Sequence, residues 1–403
     1  MGKDEQGAYA FVLVTVTLAA MTLGSVPSVL PGAAGATGQE ITQQPVLWRR
    51  MAPGAGQRRA AVAEFLAPVT TSPDARIVLT GAGSSAFIGD LLAPALARSM
   101  HRRVDAVATT DVVADPRSVF AEDVPTVLVS FARSGDSPES LAATRLADEC
   151  LTEVRHVVVT CNPGGALARA HDAAPGSLVL LTPAESHDRG FAMTSSFTCM
   201  LLETWLALDP SVDAALVEQV ADAAERVLAE RTDAVAALAA QGHERVVYLG
   251  SGPLAGLAHE CSLKLLELSG GAVVSFHDSA LGFRHGPKSV VDGRTLTVVL
   301  TSGDEHTRRY DADIATELRA GSGTTLVLGT RPDGTSDELS WCLPGLAGVP
   351  DVGIALVYLV AAQLYAVQVS LRLGITPDDP SPSGTVNRVV QGVTIHELPA
   401  ASA

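Results

Sequence analysis

One strand-and-turn pattern occurs twice at a single spacing, and this constrains the fold more than any other feature. The stretch IVLTGAG at 77–83 returns as VVYLGSG at 246–252, and HVVVTCNP at 156–163 returns as TLVLGTRP at 325–332, both displaced by the same distance along the chain. A third pair, VLVSFARSGDS at 127–137 and VVLTSGDE at 298–305, keeps the same order with a slip of about three residues. Unrelated Val/Leu-rich strands would not share one offset, so the pattern implies an internal duplication. Around each match, a continuous apolar run leads into a polar turn and then a helix-period segment. Such alternation predicts parallel sheets covered on both faces, hence two related α/β domains.

The expected division has an apolar extension at 1–38, an N-terminal helix at 39–54, a first domain at 55–210 and connecting helices at 211–242. A second domain spans 243–375, and a C-terminal tail at 376–403 folds over the site. Residues 8–36 are uncharged, but Lys3 is offset by Asp4 and Glu5, so the positive region of a signal sequence is missing. The extension therefore reads as a mis-assigned start or a disordered leader. The run 351–374 is long and apolar enough to suggest a membrane span. Asp351, Gln363 and Gln368 within it favour a packed interdomain or dimer helix instead.

Composition removes some function classes. The chain of 403 residues is 47% hydrophobic and 18% charged, as expected for well-buried cores. A net charge of −16 argues against a nucleic-acid partner, which needs a basic face, and an aromatic content of 4% disfavours base-stacking platforms. The five cysteines, at 150, 161, 199, 261 and 342, form no CxxC pair. They read as reduced thiols of a cytoplasmic protein. Metal-ligand spacing is lacking too, since His277 and His285 lie eight apart on one loop; no metal and no cofactor is expected.

The chemistry gathers in 260–289, ECSLKLLELSGGAVVSFHDSALGFRHGPKS. Leu257, Cys261, Leu265 and Leu268 form an apolar helical stripe, while Glu260, Lys264 and Glu267 recur at i, i+4 and i+7 on another face. Tandem glycines at 270–271 end the helix. The run AVVSF follows as a short strand, and then a loop carrying His277, Asp278, Arg284, His285 and Lys288. A helix-borne carboxylate and a loop histidine with nearby cations suit proton transfer on a small anion. The alternative is a solvated helix face with weak ion pairs.

Two serine-rich turns supply the anion site. SFARSGDSPES at 130–140 is a strand-to-helix turn in which Ser134 and Ser137 add hydroxyls, Gly135 permits close approach and Arg133 adds charge. The second turn, Gly81-Ala82-Gly83-Ser84-Ser85, fails as a dinucleotide fingerprint because its third glycine falls at 89. Two such turns in one domain suggest a sugar phosphate more than a nucleotide.

GAGSS, SFARSGDSPES and LKLLELS…GFRHGPKS resemble the double sugar-isomerase (SIS) architecture of the isomerase half of glucosamine-6-phosphate synthase. They are closer still to the AgaS-type ketose/aldose isomerases, described as tagatose-6-phosphate isomerases or galactosamine-6-phosphate deaminases. The resemblance covers about 39–398 and implies two tandem flavodoxin-like SIS domains. It further implies that Glu267 shuttles a proton between C1 and C2 of the opened sugar. His285 would open the ring, donated across a homodimer interface. Ser134, Ser137, Gly83, Ser84 and Ser85 would hold the phosphate, Lys264 would match a site lysine, and Thr194 and Ser195 would line the pocket. Two departures stand out. Gln391 replaces the synthase lysine that forms an imine, and Arg133 stands where the synthase has an amide. The glutaminase half is missing as well.

The expected function is therefore aldose–ketose isomerisation, with deamination, of a hexose or aminohexose 6-phosphate. A non-catalytic phosphosugar-binding regulator is the alternative. Against it, no helix-turn-helix pattern is evident in the N-terminal part of the chain, and both Glu267 and His285 are present.

Overall fold

The computed structural model describes residues 30, 32–335, 337–384, 386–390 and 392–399. The extension at 1–29 and the Gln391 position lie outside the described residues. Ten strands make two separate all-parallel sheets. The first contains β1 (Arg76–Thr80), β2 (Arg103–Ala106), β3 (Thr126–Ala132), β4 (Val154–Thr160) and β5 (Ser177–Leu181), in the order β2-β1-β3-β4-β5. The second contains β6 (Arg245–Leu249), β7 (Val274–Asp278), β8 (Thr295–Leu300), β9 (Thr324–Gly329) and β10 (Ser340–Cys342), in the order β10-β9-β8-β6-β7. Read from the other edge, the second order matches the first.

The likeness extends to register. Arg76 pairs with Thr126 and Arg245 with Thr295, again at the offset that relates the repeated motifs. In both pairs the arginine Nε donates to the threonine Oγ1 at 3.3 Å. The strands thus keep the common offset, and the slip in the third pair is one position rather than about three, arising at the strand end between Thr126–Ala132 and the Ser-Gly-Asp turn. Every residue of β1, β3 and β8 is buried, which their continuous apolar runs require of central strands.

The helices Ser84–Met100 and Pro253–Leu268, which follow β1 and β6, pack against each other and join the domains. Their closest approach is at Gly256, where a Cβ would lie 2.5 Å from Leu91 N. Against the second of these helices runs Asp351–Arg372, 22 residues long. Its apolarity comes from burial within the chain, since 94% of its most apolar window is enclosed. Two polar side chains inside that stretch find partners: Gln363 Oε1 accepts from Gln44 Nε2 at 2.8 Å, and Asp351 bonds to Ser302 and Gly303.

Two details differ from the sequence expectation. The first regular helix is Gly35–Thr42, beginning before residue 39, because Asp378 from the C-terminal segment accepts from the amides of Ala36 and Thr37 at 2.8 Å. His277 and Asp278 belong to β7 rather than to the following loop, since pairing with Tyr248 and Leu249 of β6 extends the strand.

Candidate active site

The site forms at the carboxyl ends of β1 and β3, where open parallel sheets place their ligands. After β3 the chain makes the turn 133–137 and enters the helix Pro138–Cys150. Gly135 adopts φ 72°, which a side chain would disfavour. The turn is braced from β4's loop. Asn162 Nδ2 donates to Ser134 O at 2.6 Å, and Gly165 lies so close that a Cβ would stand 2.3 Å from that oxygen. Ser137 Oγ donates to Glu139 Oε2 at 2.5 Å, so its own oxygen still has room to accept. The backbone amides of Ser134, Gly135 and Ser137 have no protein acceptor among the described residues. Unpaired donors at a helix start are an anion site.

After β1, Gly83 takes φ 55° and Ser84 and Ser85 open the next helix, both buried. Ser85 Oγ donates to Met193 Sδ at 3.8 Å. Ser84 faces the second-domain helix, where its hydroxyl interacts with Glu260. The helix Pro253–Leu268 brings Glu260, Lys264 and Glu267 together. Lys264, fully buried, donates from Nζ to Glu267 Oε2 at 2.5 Å and lies 3.6 Å from Glu260 Oε1. Glu267 alone of the three reaches solvent, with 23% of its side chain exposed.

The electrostatics follow from this burial. Desolvation pushes the Glu260 carboxyl up to about 8; Lys264 counters that shift, and the Glu267 charge adds to it. Neither Glu260 oxygen finds a hydrogen-bond partner within normal reach, so its burial is offset chiefly by the Lys264 charge. Burial works against the Lys264 charge, but the two carboxylates outweigh it and hold the ammonium. On the first domain, Arg133 is buried and feels Glu267. Its guanidinium is spent on carbonyls, Nη1 to Phe191 O at 2.9 Å and Nη2 to Arg388 O at 2.7 Å. Desolvation and the neighbouring Arg388 pull it below the ordinary arginine range.

Not every expected residue offers itself to a ligand. Thr194 Oγ1 donates to Asp188 at 2.8 Å, and Ser195 Oγ donates to Glu40 O at 2.6 Å, both fully buried. Asp188 also accepts from the amides of Thr194, Ser195 and Ser196, so this polar cluster starts a helix. His285 is exposed at the end of the turn Gly282–His285, held by the buried Phe283, and bonds to nothing among the described residues.

Sequence reasoning passed over several residues here. Glu260 was visible in the spacing but not its burial. Asn162 and Gly165 brace the turn from a different strand. Arg388, from the C-terminal segment, donates to Gly190 O at 3.1 Å and to Asp188 O. That contact lays the segment across the loop 188–191. Glu40 accepts from the amide of Arg189 at 2.6 Å, and burial, with Asp188 beside it, pushes its carboxyl up to about 7.

Among known proteins, an AgaS protein of Streptomyces coelicolor is 54% identical over 369 residues, covering 90% of this chain and 95% of that one. The chain belongs to the AgaS family of SIS-domain proteins. The SIS domain profile matches residues 72–209, the first sheet and its helices. The family also includes a D-galactosamine-6-phosphate deaminase AgaS from Shewanella sp. strain ANA-3. It is 41% identical over 363 residues, covering 89% of this chain and 91% of the relative. Among solved structures, the tagatose-6-phosphate ketose/aldose isomerase of Escherichia coli superposes with a TM-score of 0.84 at 39% identity, covering 93% of this chain and 99% of that one. The double-SIS architecture expected from the motifs is thus the family's fold.

Proposed function

We propose that this chain is a sugar-phosphate isomerase and deaminase that converts an aminohexose 6-phosphate, of the galactosamine 6-phosphate class, to a ketose 6-phosphate and ammonia. One observation carries the reading: the second domain buries a lysine between two carboxylates, against the serine turn of the first that carries Ser84. The names of the family relatives supply the sugar class. In this reading the phosphate sits on the open amides and hydroxyls of the turn 134–137, with Gly83, Ser84 and Ser85 at its side. Anchoring the charged end fixes C1 and C2 beside Glu267.

Glu267, the member of the triplet that faces the cleft, takes the C2 proton of the opened aldose and returns it to C1. The Lys264 ammonium steadies the charge that builds on the substrate during this transfer. When C2 carries an amino group, the aldehyde oxygen O1 gains a proton as the nitrogen gives one up, so the product of the shift is a ketimine with a C1 hydroxymethyl group. Water adds to its carbon, the C–N bond breaks, and ammonia leaves with the ketose. His285 opens the ring from a second copy in a homodimer, which suits its exposure on each single chain. Reduced cysteines suit a cytoplasmic enzyme. Thr194 and Ser195 shape the pocket wall through Asp188 and Glu40 rather than by touching substrate.

The test is to incubate the purified protein with galactosamine 6-phosphate, glucosamine 6-phosphate and tagatose 6-phosphate, following ammonia and ketose separately. Ammonia and ketose from the first substrate in equal amounts are expected. No turnover of any of the three, with tight binding retained, would leave a phosphosugar-binding protein instead.

A further inference from the structure

The second domain repeats the anion-binding turn of the first and fills it with the chain's own carboxylates. Ser302, Gly303 and Asp304 repeat Ser134, Gly135 and Asp136, one position short of the offset that relates the strands. Both turns carry the same internal bond: the amide of Asp136 donates to Ser134 Oγ at 3.3 Å, and that of Asp304 to Ser302 Oγ at 3.0 Å. Each lies at the carboxyl end of a central strand and opens a helix, Pro138–Cys150 in one case and Glu305–Arg319 in the other. The donors differ in what they meet. The amides of Ser134 and Gly135 have no acceptor among the described residues. In the second domain the Ser302 amide donates to Asp311 Oδ2 at 3.0 Å and the Gly303 amide to Asp351 Oδ1 at 2.7 Å. The hydroxyls are taken as well, Ser302 Oγ by Asp351 Oδ2 at 2.6 Å and Ser251 Oγ by Asp311 Oδ1 at 3.0 Å.

We infer that this second turn is an anion cradle closed from within, with the Asp311 and Asp351 carboxylates standing where the oxygens of a phosphate monoester would sit. The chain therefore holds one phosphate ester and not two. Four donors converge on four carboxylate oxygens, a set that a phosphate dianion would also match. The residue that separates the halves is readable by position. Asp311 corresponds to Ala143, which is fully buried and brings no oxygen to the first turn, and Ser251 corresponds to Ala82. The closure has an electrostatic cost, since burial pushes the Asp311 carboxyl up to about 6 and raises Asp351 also. The inference takes the turn 134–137 as the substrate's phosphate site, as proposed above.

Inorganic phosphate binding, measured by calorimetry on the full chain, tests it. The wild-type protein should bind one phosphate, and Asp311→Ala combined with Asp351→Asn should bind two. The reverse change, Ala143→Asp, should weaken phosphate binding at the first turn at least tenfold. Thermal melts report whether each variant is folded. A folded double variant that still binds one phosphate overturns the inference. Should the double variant not fold, the Ala143→Asp chain decides, and wild-type affinity there overturns it. Loss of the fold in both overturns it too, because the carboxylates would then be pillars and not occupants. A wild-type chain that binds no phosphate, while the double variant gains one site, would sink the proposed substrate site and leave this inference standing.

Discussion

The two halves share strand order, register and even an arginine–threonine pair, yet they do different work. The first leaves its serine turn open, with unpaired amides at a helix start. The second closes the equivalent turn with Asp311 and Asp351 and contributes instead the helix that carries Glu260, Lys264 and Glu267. Under the proposed function, one half supplies binding and the other a proton-transfer group. The difference teaches that shared topology fixes where a site can form but not which copy uses it. A handful of side chains at the strand ends settles that.

The largest expected effect tests the division directly. Glu267→Gln should lower proton exchange at C2 by about 10³-fold, the range of a lost general base, while leaving phosphate-ester affinity nearly intact. Solvent-isotope exchange followed by mass spectrometry reads the first quantity and calorimetry the second. Loss of both together would place Glu267 in the scaffold.

A smaller loss is expected on the binding side. Gly165→Ala puts a Cβ against Ser134 O and should displace the first turn. A shift of this kind should reduce kcat/KM by up to about 10²-fold, mainly through KM. An unchanged KM would detach that turn from substrate binding.

Thr194→Val probes the wall rather than the turn. It removes a buried donor from Asp188, so stability should fall by about 1–3 kcal/mol in chemical denaturation. Steady-state constants should stay within about twofold at temperatures where the variant is folded. A large rise in KM without loss of stability would return Thr194 to the substrate.

The smallest effects lie in pH dependence and distinguish the halves once more. A carboxyl whose folded pKa is raised stabilises the fold most at low pH, and that contribution is lost as pH rises through the folded value. For Glu260 the window runs from 4.5 to about 8, and for Asp311 from 3.8 to about 6. Melting temperatures measured across pH should therefore fall less steeply in Glu260→Gln all the way to about 8, and less steeply in Asp311→Asn only up to about 6. Identical slopes in the two variants would remove the electrostatic distinction.

Much of the fold was legible because it depends on local pattern. Continuous apolar runs predicted buried parallel strands, and Gly270 and Gly271 ended the helix Pro253–Leu268 with φ 58° and 77°. The matching strand order and register of the two halves were readable from the common offset of the strand motifs. The site was less legible. Thr194 and Ser195 looked like free hydroxyls at a helix start. Asp188, six residues before Thr194, takes the first hydroxyl, and the Glu40 carbonyl, on an N-terminal helix remote in sequence, takes the second. Arg133 looked like a phosphate ligand until the carbonyls of Phe191 and Arg388 took its guanidinium.

By itself the sequence determined two parallel α/β domains, the serine turns at the strand ends and the acid–lysine–acid spacing on one helix. Hydrophobic period and glycine placement act locally and survive in a one-dimensional reading. Only the tertiary structure decided that Glu260 is dry with its carboxyl pushed up, that Arg133 is tied to the C-terminal segment, and that one serine turn is open while its twin is filled. Those outcomes depend on desolvation and on donors meeting acceptors far away along the chain, which no local pattern encodes.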